Sequence, residues 1–148
     1  MRPVSSYRLH GSPWDALVGE WEMAAPMFPG ARGRAVFEWR EGGAFLALRS
    51  DPPEPAPASV WLIGADDAVE DCAALYTDSR GVSRVYAMRM AAGVWSIWRY
   101  APPFSQRFEA QLDPNGKVMR GTWYSSEGEG RWKPDFDLVY VRRAAAAG

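Results

Sequence analysis

The sequence predicts an all-β fold: an antiparallel up-and-down barrel of about ten strands, closed at one end by a short N-terminal helix. Three observations carry this. Apolar residues alternate with polar ones in short runs instead of recurring at helical spacing. Eight Trp, six Tyr and six Phe bring aromatics to 14% of 148 residues, a load suited to the pleated surface of strands. The runs are joined by hairpin-sized links rich in Gly, Pro, Asn and Asp, and a twisted meander of this size removes its unpaired edges by closing on itself.

Residues 1–11 read as a flexible polar segment, residues 12–143 as one domain, and residues 144–148 as a frayed tail. Ser12-Pro13-Trp14-Asp15 supplies a capping hydroxyl, a proline suited to a first helical position and an acid in the first turn, so a short helix starts here. It must end by Gly19, where alternation begins with Trp21 and Met23 on one side and Glu20 and Glu22 on the other. The first strand covers Val18 to Ala24. After Pro26-Met27-Phe28-Pro29-Gly30, the second runs from Arg34 to Arg40, with Ala35, Phe37 and Trp39 on one face. Glu41-Gly42-Gly43 turns into the third, Ala44 to Ser50. The four prolines between Asp51 and Pro57 remove backbone donors, so this stretch lies outside the sheet and precedes a fourth strand, Ser59 to Gly64.

Asp66-Asp67 begins the turn into Cys72 to Asp78. Ser79-Arg80-Gly81 leads to Ser83 to Ala91, and Ala92-Gly93 to Val94 to Tyr100. Beyond Ala101-Pro102-Pro103-Phe104-Ser105-Gln106 comes the eighth strand, Arg107 to Leu112. Asp113-Pro114-Asn115-Gly116 is the strongest hairpin signal, because Asn-Gly readily takes positive φ. The ninth strand is Val118 to Ser125, the next turn Glu127-Gly128-Glu129, and the tenth runs from Arg131 to Arg142 with a bulge at Pro134.

In an up-and-down meander the connections alternate between the two ends. Those at Glu41-Gly42-Gly43, Asp66-Asp67, Ala92-Gly93 and Asn115-Gly116 are short or polar and fall at one end, together with the helix and the finish of the last strand. The first, third and seventh connections are long and proline-rich, and Met27, Phe28 and Phe104 decorate them. The first end is therefore expected to be sealed, and the proline-rich end to form the mouth.

Charge is balanced, with 17 basic against 18 acidic residues, so nothing favours nucleic acid or an anionic membrane. Cys72 is the only cysteine, which excludes an intramolecular disulfide and a thiolate metal cluster and reads as a buried thiol. No apolar run approaches the ~20 residues of a membrane span, and Met1 to Gly11 lacks a signal-peptide core, so a cytoplasmic protein is expected.

Leu17-Val18-Gly19-Glu20-Trp21, the helix before it, and Trp132-Lys133-Pro134-Asp135-Phe136-Asp137-Leu138-Val139-Tyr140 near the end together resemble the calycin group of lipocalin-like and nitrobindin-like barrels, in particular small bacterial calycin-like proteins of unassigned function. The resemblance covers Asp15 to Arg143. It implies that Trp21 packs beneath an Arg of the last strand, Arg142 or Arg143, and plugs the closed end beside Gly19. Nitrobindin-like barrels hold haem through an interior histidine, but the only histidine here, His10, precedes the barrel; no cofactor or metal is expected.

Alternation puts Arg84, Tyr86, Met88 and Met90 on one face of the sixth strand. Trp95, Ile97 and Arg99 share a face of the seventh, where the phase of Trp98 and Tyr100 competes. Arg84, Arg99 and Arg107 all adjoin the mouth. Unpaired buried cations are costly, so inward arginines call for internal acids or an anionic ligand. Arg84 with Tyr86 can grip a carboxylate while Met88, Met90, Phe37 and Phe45 take an apolar tail, with Phe28 and Phe104 forming a rim. On this reading the protein binds a small apolar or amphipathic anion without performing chemistry. The competing reading pairs the arginines with Asp78, Asp135 and Asp137, or turns them to solvent, and makes Phe28 and Phe104 a contact in a homodimer or structural module. An enzymatic alternative, of isomerase or hydrolase type, uses Asp78 or Asp135 as base and Arg99 as oxyanion partner. The acidic turn Asp66, Asp67, Glu70 and Asp71 lacks the spacing of a calcium loop and reads as solvated.

Overall fold

The computed structural model describes residues 7–128 and 130–144. Residues 1–6, Glu129 and the end of the expected tail, 145–148, lie outside the described residues. The chain forms a closed barrel of ten antiparallel strands, each paired with its neighbours in sequence, with the first strand closing on the last. They are β1 (Gly19–Ala24), β2 (Arg32–Arg40), β3 (Phe45–Asp51), β4 (Ser59–Ala65), β5 (Cys72–Asp78), β6 (Ser83–Ala91), β7 (Val94–Arg99), β8 (Ser105–Leu112), β9 (Val118–Ser126) and β10 (Lys133–Arg142). These are the ten expected strands, with bounds moved by one or two residues. The register of β10 on β9 shifts between Pro134 and Phe136, where proline removes a ladder donor.

One phase of each strand faces inward. Trp95 and Ile97 are buried while Trp98 is turned outward beneath the Arg89 guanidinium, which settles the competing phases of β7. Gly121 sits on the inward phase of β9, and a Cβ there would meet the Phe108 ring at 2.5 Å. The missing side chain is what lets that ring cross the barrel.

The closed end is built around Trp21, which is 0% exposed. Its indole N–H donates to the Leu17 carbonyl at 2.9 Å, and the Arg142 guanidinium lies 4.2 Å from its ring centroid. Arg142 donates through Nη1 to the Val18 carbonyl at 2.6 Å, through Nε to the Gly116 carbonyl at 2.9 Å, and through Nη2 to the Ala16 carbonyl. One planar fork thus ties the turn before β1 to the β8–β9 hairpin. Gly19 takes φ +126°, and a Cβ there would stand 2.9 Å from Arg142 Nη1, so both its conformation and its lack of a side chain are used. The geometry implied by the resemblance, a Trp beneath an Arg of the last strand, is present with Arg142 as the partner.

The N-terminal helix is smaller than expected: a single 3-10 turn, Pro13–Leu17, whose Ser12 hydroxyl accepts from the Trp14 N–H at 3.3 Å. Residues 7–11 depart from the flexible segment expected there. Leu9 is buried, and the backbone N–H groups of Leu9 and His10 donate to the carbonyls of Ala44 and Gly43 at 3.3 and 3.1 Å. The His10 ring rests edge-on against Trp39. An apolar side chain among polar neighbours is a weak periodic signal, but here it finishes the plug. Among the described residues, no helix is long and apolar enough to cross a membrane.

Candidate functional site

At the proline-rich end, the inward side chains leave a cavity of about 300 Å³ between the loop of Pro52, Ala56 and Pro57 and the side chain of Phe104. That volume equals roughly ten waters at ~30 Å³ each, near the lower limit for small-molecule sites. Alternation along β4, β5 and β6 supplies one wall: Trp61, Tyr76 and Tyr86, with ring centroids 4.7 to 5.8 Å apart. Phe108 and Trp123, 5.0 Å apart, form the facing wall from β8 and β9. Trp95 and Tyr140 line the deeper part, their rings 5.9 Å apart.

Two polar clusters stand near the mouth. In the first, the buried Asp78 carboxylate accepts from the Tyr76 hydroxyl at 2.6 Å, from Arg80 Nη2 at 2.6 Å, and from the backbone N–H groups of Arg80 and Val82 at 2.9 and 3.3 Å. The Arg80 guanidinium, with lesser help from these other donors, holds the Asp78 carboxyl well below the usual carboxylate range. Burial, followed by the neighbouring carboxylate, pushes the Tyr76 phenol up to about 12. In the second cluster Arg84 Nη1 donates to the Tyr86 hydroxyl and to Gln106 Oε1, both at 3.3 Å, while the Tyr86 hydroxyl donates to Gln106 Oε1 at 2.7 Å. The Arg84 guanidinium also lies 5.9 Å from the Tyr76 ring centroid. The arginines therefore differ in charge balance. Arg80 is neutralised by Asp78, whereas Arg84, half-buried, meets only neutral oxygens among the described residues.

Of the side chains expected at a ligand site, Arg84, Tyr86 and Phe104 line this cavity. Met88 and Phe37 do not: both are buried toward the closed half, Phe37 against the Trp95 ring at 5.4 Å and Met88 beside a separate pocket of about 280 Å³ that Leu9 and Trp14 also line. Phe45, at the start of β3, also lies outside the cavity wall. Arg99 is placed elsewhere, in an outer groove with Val85, Trp98 and Tyr100. β6 and β7 pair only as far as Ala87 and Trp98, so Arg99 keeps a ladder partner on β8 alone, opposite Gln106. Arg107 is on the outward phase of β8, its guanidinium 4.6 Å from the Tyr124 ring and 5.1 Å from that of Trp132. Phe28 is exposed on the first mouth loop and lines no part of the cavity.

The carboxylates considered as bases are not poised in the cavity either. Asp78 is tied down as described, and Asp135 is exposed on β10. Asp137 accepts from the Thr122 hydroxyl at 2.7 Å on the outer face. Cys72 is buried. Asp71 of the acidic turn is bonded to Arg89, and Asp66 accepts from the Ala68 N–H at 2.7 Å. A broad depression over β8 to β10, lined by Glu109, Arg120, Thr122 and Asp137, is an outer strand surface.

Sequence reasoning passed over Gln106, Arg80, Trp61, Tyr76, Trp95 and Tyr140 as parts of one site. A signal existed for Trp61 and Tyr76, which share the inward phase of β4 and β5. Gln106 lay in a stretch assigned to a loop, and its role depends on β8 starting at Ser105.

No protein-family model matches the chain, and no curated protein is significantly similar to it.

Proposed function

We propose that the barrel binds a compact amphipathic anion, an aromatic acid being the best fit, with the ring among Trp61, Tyr86, Phe108 and Trp123 and the acid group on Arg84. The observation that carries this is the half-buried Arg84, which lines an aromatic cavity and, among the described residues, hydrogen-bonds only the neutral oxygens of Tyr86 and Gln106. Partial burial of a cation without a counter-charge is unfavourable, and an anionic ligand offsets it. The fork also suits a carboxylate, each charged hydrogen bond contributing about 1.5–3 kcal/mol. Size narrows the class. The cavity does not reach Met88 or Phe37, the side chains expected to take a long tail, so a compact ligand fits it better than a fatty acid. The reading of the fold as calycin-like rests on Gly19-Glu20-Trp21, the Arg142 cover and the up-and-down closure.

The test is a titration with benzoate, indole carboxylates and the matching neutral amides, followed by tryptophan fluorescence, because Trp61, Trp95 and Trp123 line the cavity. Acids are expected to bind and amides to bind at least roughly tenfold more weakly, tenfold being about 1.4 kcal/mol. Arg84→Met should abolish the difference. Equal binding of acids and amides removes the anionic part of the reading, and no response to any compact aromatic removes the whole of it.

A further inference from the structure

The two arginines that line the mouth are met by side chains of different kinds. Arg80 has the Asp78 carboxylate, whereas Arg84 has the carboxamide of Gln106, brought in from β8 two strands away. A carboxamide carries an NH2 group where a carboxylate has its second oxygen, so Gln106 withholds the counter-charge that a glutamate in its place would supply. Its orientation is set by its neighbours. Oε1 accepts from the Tyr86 hydroxyl at 2.7 Å and from Arg84 Nη1 at 3.3 Å, and because an arginine only donates, turning the amide over would set NH2 against guanidinium. Both lone pairs of Oε1 are then taken, and the Nε2 amino group has no hydrogen-bond partner among the described residues. Nε2 is not sealed in the core: it keeps accessible surface, on a side chain that lines the cavity together with Arg84. Nε and Nη2 of Arg84 are likewise without a hydrogen-bond partner among the described residues. What this corner of the mouth offers a ligand is therefore donors alone, one set from β6 and one from β8.

We infer that Gln106 is a specificity-determining residue, whose Nε2 amino group takes one oxygen of the ligand's acid group while Arg84 takes the other. This rests on the aromatic-acid reading above and narrows its ligand class from aromatic anions to aromatic carboxylates. A carboxylate brings two acceptor oxygens on one planar group and can answer both donors at once. A phenolate has a single oxygen and leaves one of them unanswered. A site built to hydrogen-bond a ligand oxygen discriminates strongly against the analogue that lacks it, because the donors are otherwise left unpaired. The amide also excludes by what it does not offer: with Oε1 fully used, nothing on Gln106 accepts from a ligand N–H.

The experiment compares pentafluorobenzoate with pentafluorophenolate, which share a ring and are both ionised at neutral pH but carry two acid oxygens and one. Wild-type protein is expected to bind the benzoate roughly tenfold more tightly, corresponding to one charge-assisted hydrogen bond. The Gln106 side-chain NH2 signals in the nitrogen-15 spectrum should move with the benzoate and stay in place with the phenolate, a readout that needs no variant to fold. Gln106→Met should remove the preference while retaining phenolate binding. Gln106→Glu should weaken both anions at least roughly tenfold without lowering the urea midpoint, because a carboxylate then stands where Oε1 meets Arg84. Equal affinity of the two anions in wild-type protein, with unmoved NH2 signals, overturns the role of Gln106 and leaves the preference for acids over amides, and with it the aromatic-acid reading, intact. A preference that survives Gln106→Met, or full binding of the benzoate by Gln106→Glu, overturns it as well. Failure of the wild-type protein to bind either anion or any other compact aromatic acid removes this inference and the reading beneath it together.

Discussion

The two ends of the barrel treat arginine differently. At the closed end Arg142 directs its donors to three backbone carbonyls and covers the Trp21 ring, so its hydrogen bonds are completed by the chain itself. Burial nudges its pKa down, which an always-charged guanidinium tolerates. At the mouth Arg80 has Asp78, but Arg84 has two neutral side-chain oxygens at 3.3 Å, long for charged hydrogen bonds. The same residue type thus serves as a structural tie at one end and as an incompletely satisfied group at the other. Sealing a barrel requires answering every donor locally, whereas a binding mouth must leave something for the ligand to answer.

Substitutions should separate the two ends by what they damage. Trp21→Ala should have the largest effect, a loss of about 3–5 kcal/mol in urea unfolding, because it opens a cavity in the plug and frees the Leu17 carbonyl. Arg142→Met should follow, at about 2–3 kcal/mol from lost charged hydrogen bonds, and Arg142→Lys should recover little since an ammonium cannot reach the three carbonyls as a planar fork. Either change made without loss of stability would break the distinction between the ends.

Asp78→Asn addresses the mouth through pH. The folded carboxyl titrates below its unfolded value of roughly 3.9, so its stabilising contribution is full above the unfolded pKa and is lost as pH falls through the folded one. Acid unfolding of wild-type protein should therefore be steeper below about pH 4 than that of the variant. Tyr76 has the opposite sign. Its pKa is raised to about 12, so its contribution is full below roughly pH 10 and is lost as pH rises toward the folded value. Tyr76→Phe should flatten the alkaline limb. The smallest stability effect is expected from Arg84→Met, within about 0.5 kcal/mol, together with the largest effect on binding of aromatic acids. That inversion is the sharpest form of the comparison, since Arg142→Met should do the reverse.

Much of this was legible in the sequence. Alternation and turn residues located all ten strands, and counting connections put Arg142 and Trp21 at one end and Phe104 at the other. The face of Arg84 and Tyr86 on β6 followed from period-2 alternation alone. Arg99 shows where such reasoning stops. It shares the parity of Trp95 and Ile97, yet it lies outside the cavity wall, at the last residue of β7, one position beyond the end of the β6–β7 ladder at Trp98. Arg107 failed for a simpler reason: the strand begins at Ser105, and the buried phase is that of Phe108 and Ala110.

The sequence by itself determined the elements, the order in which they pair and the sealed end, because each depends on interactions between residues close in the chain or on a count of turns. Only the tertiary structure decided which arginine is answered by a carboxylate and which is not, and which rings enclose the cavity. Those outcomes depend on strand tilt, on where ladders part and on rings brought together from β5, β6, β7, β8 and β10, and no local pattern encodes the distance between side chains that meet across a barrel.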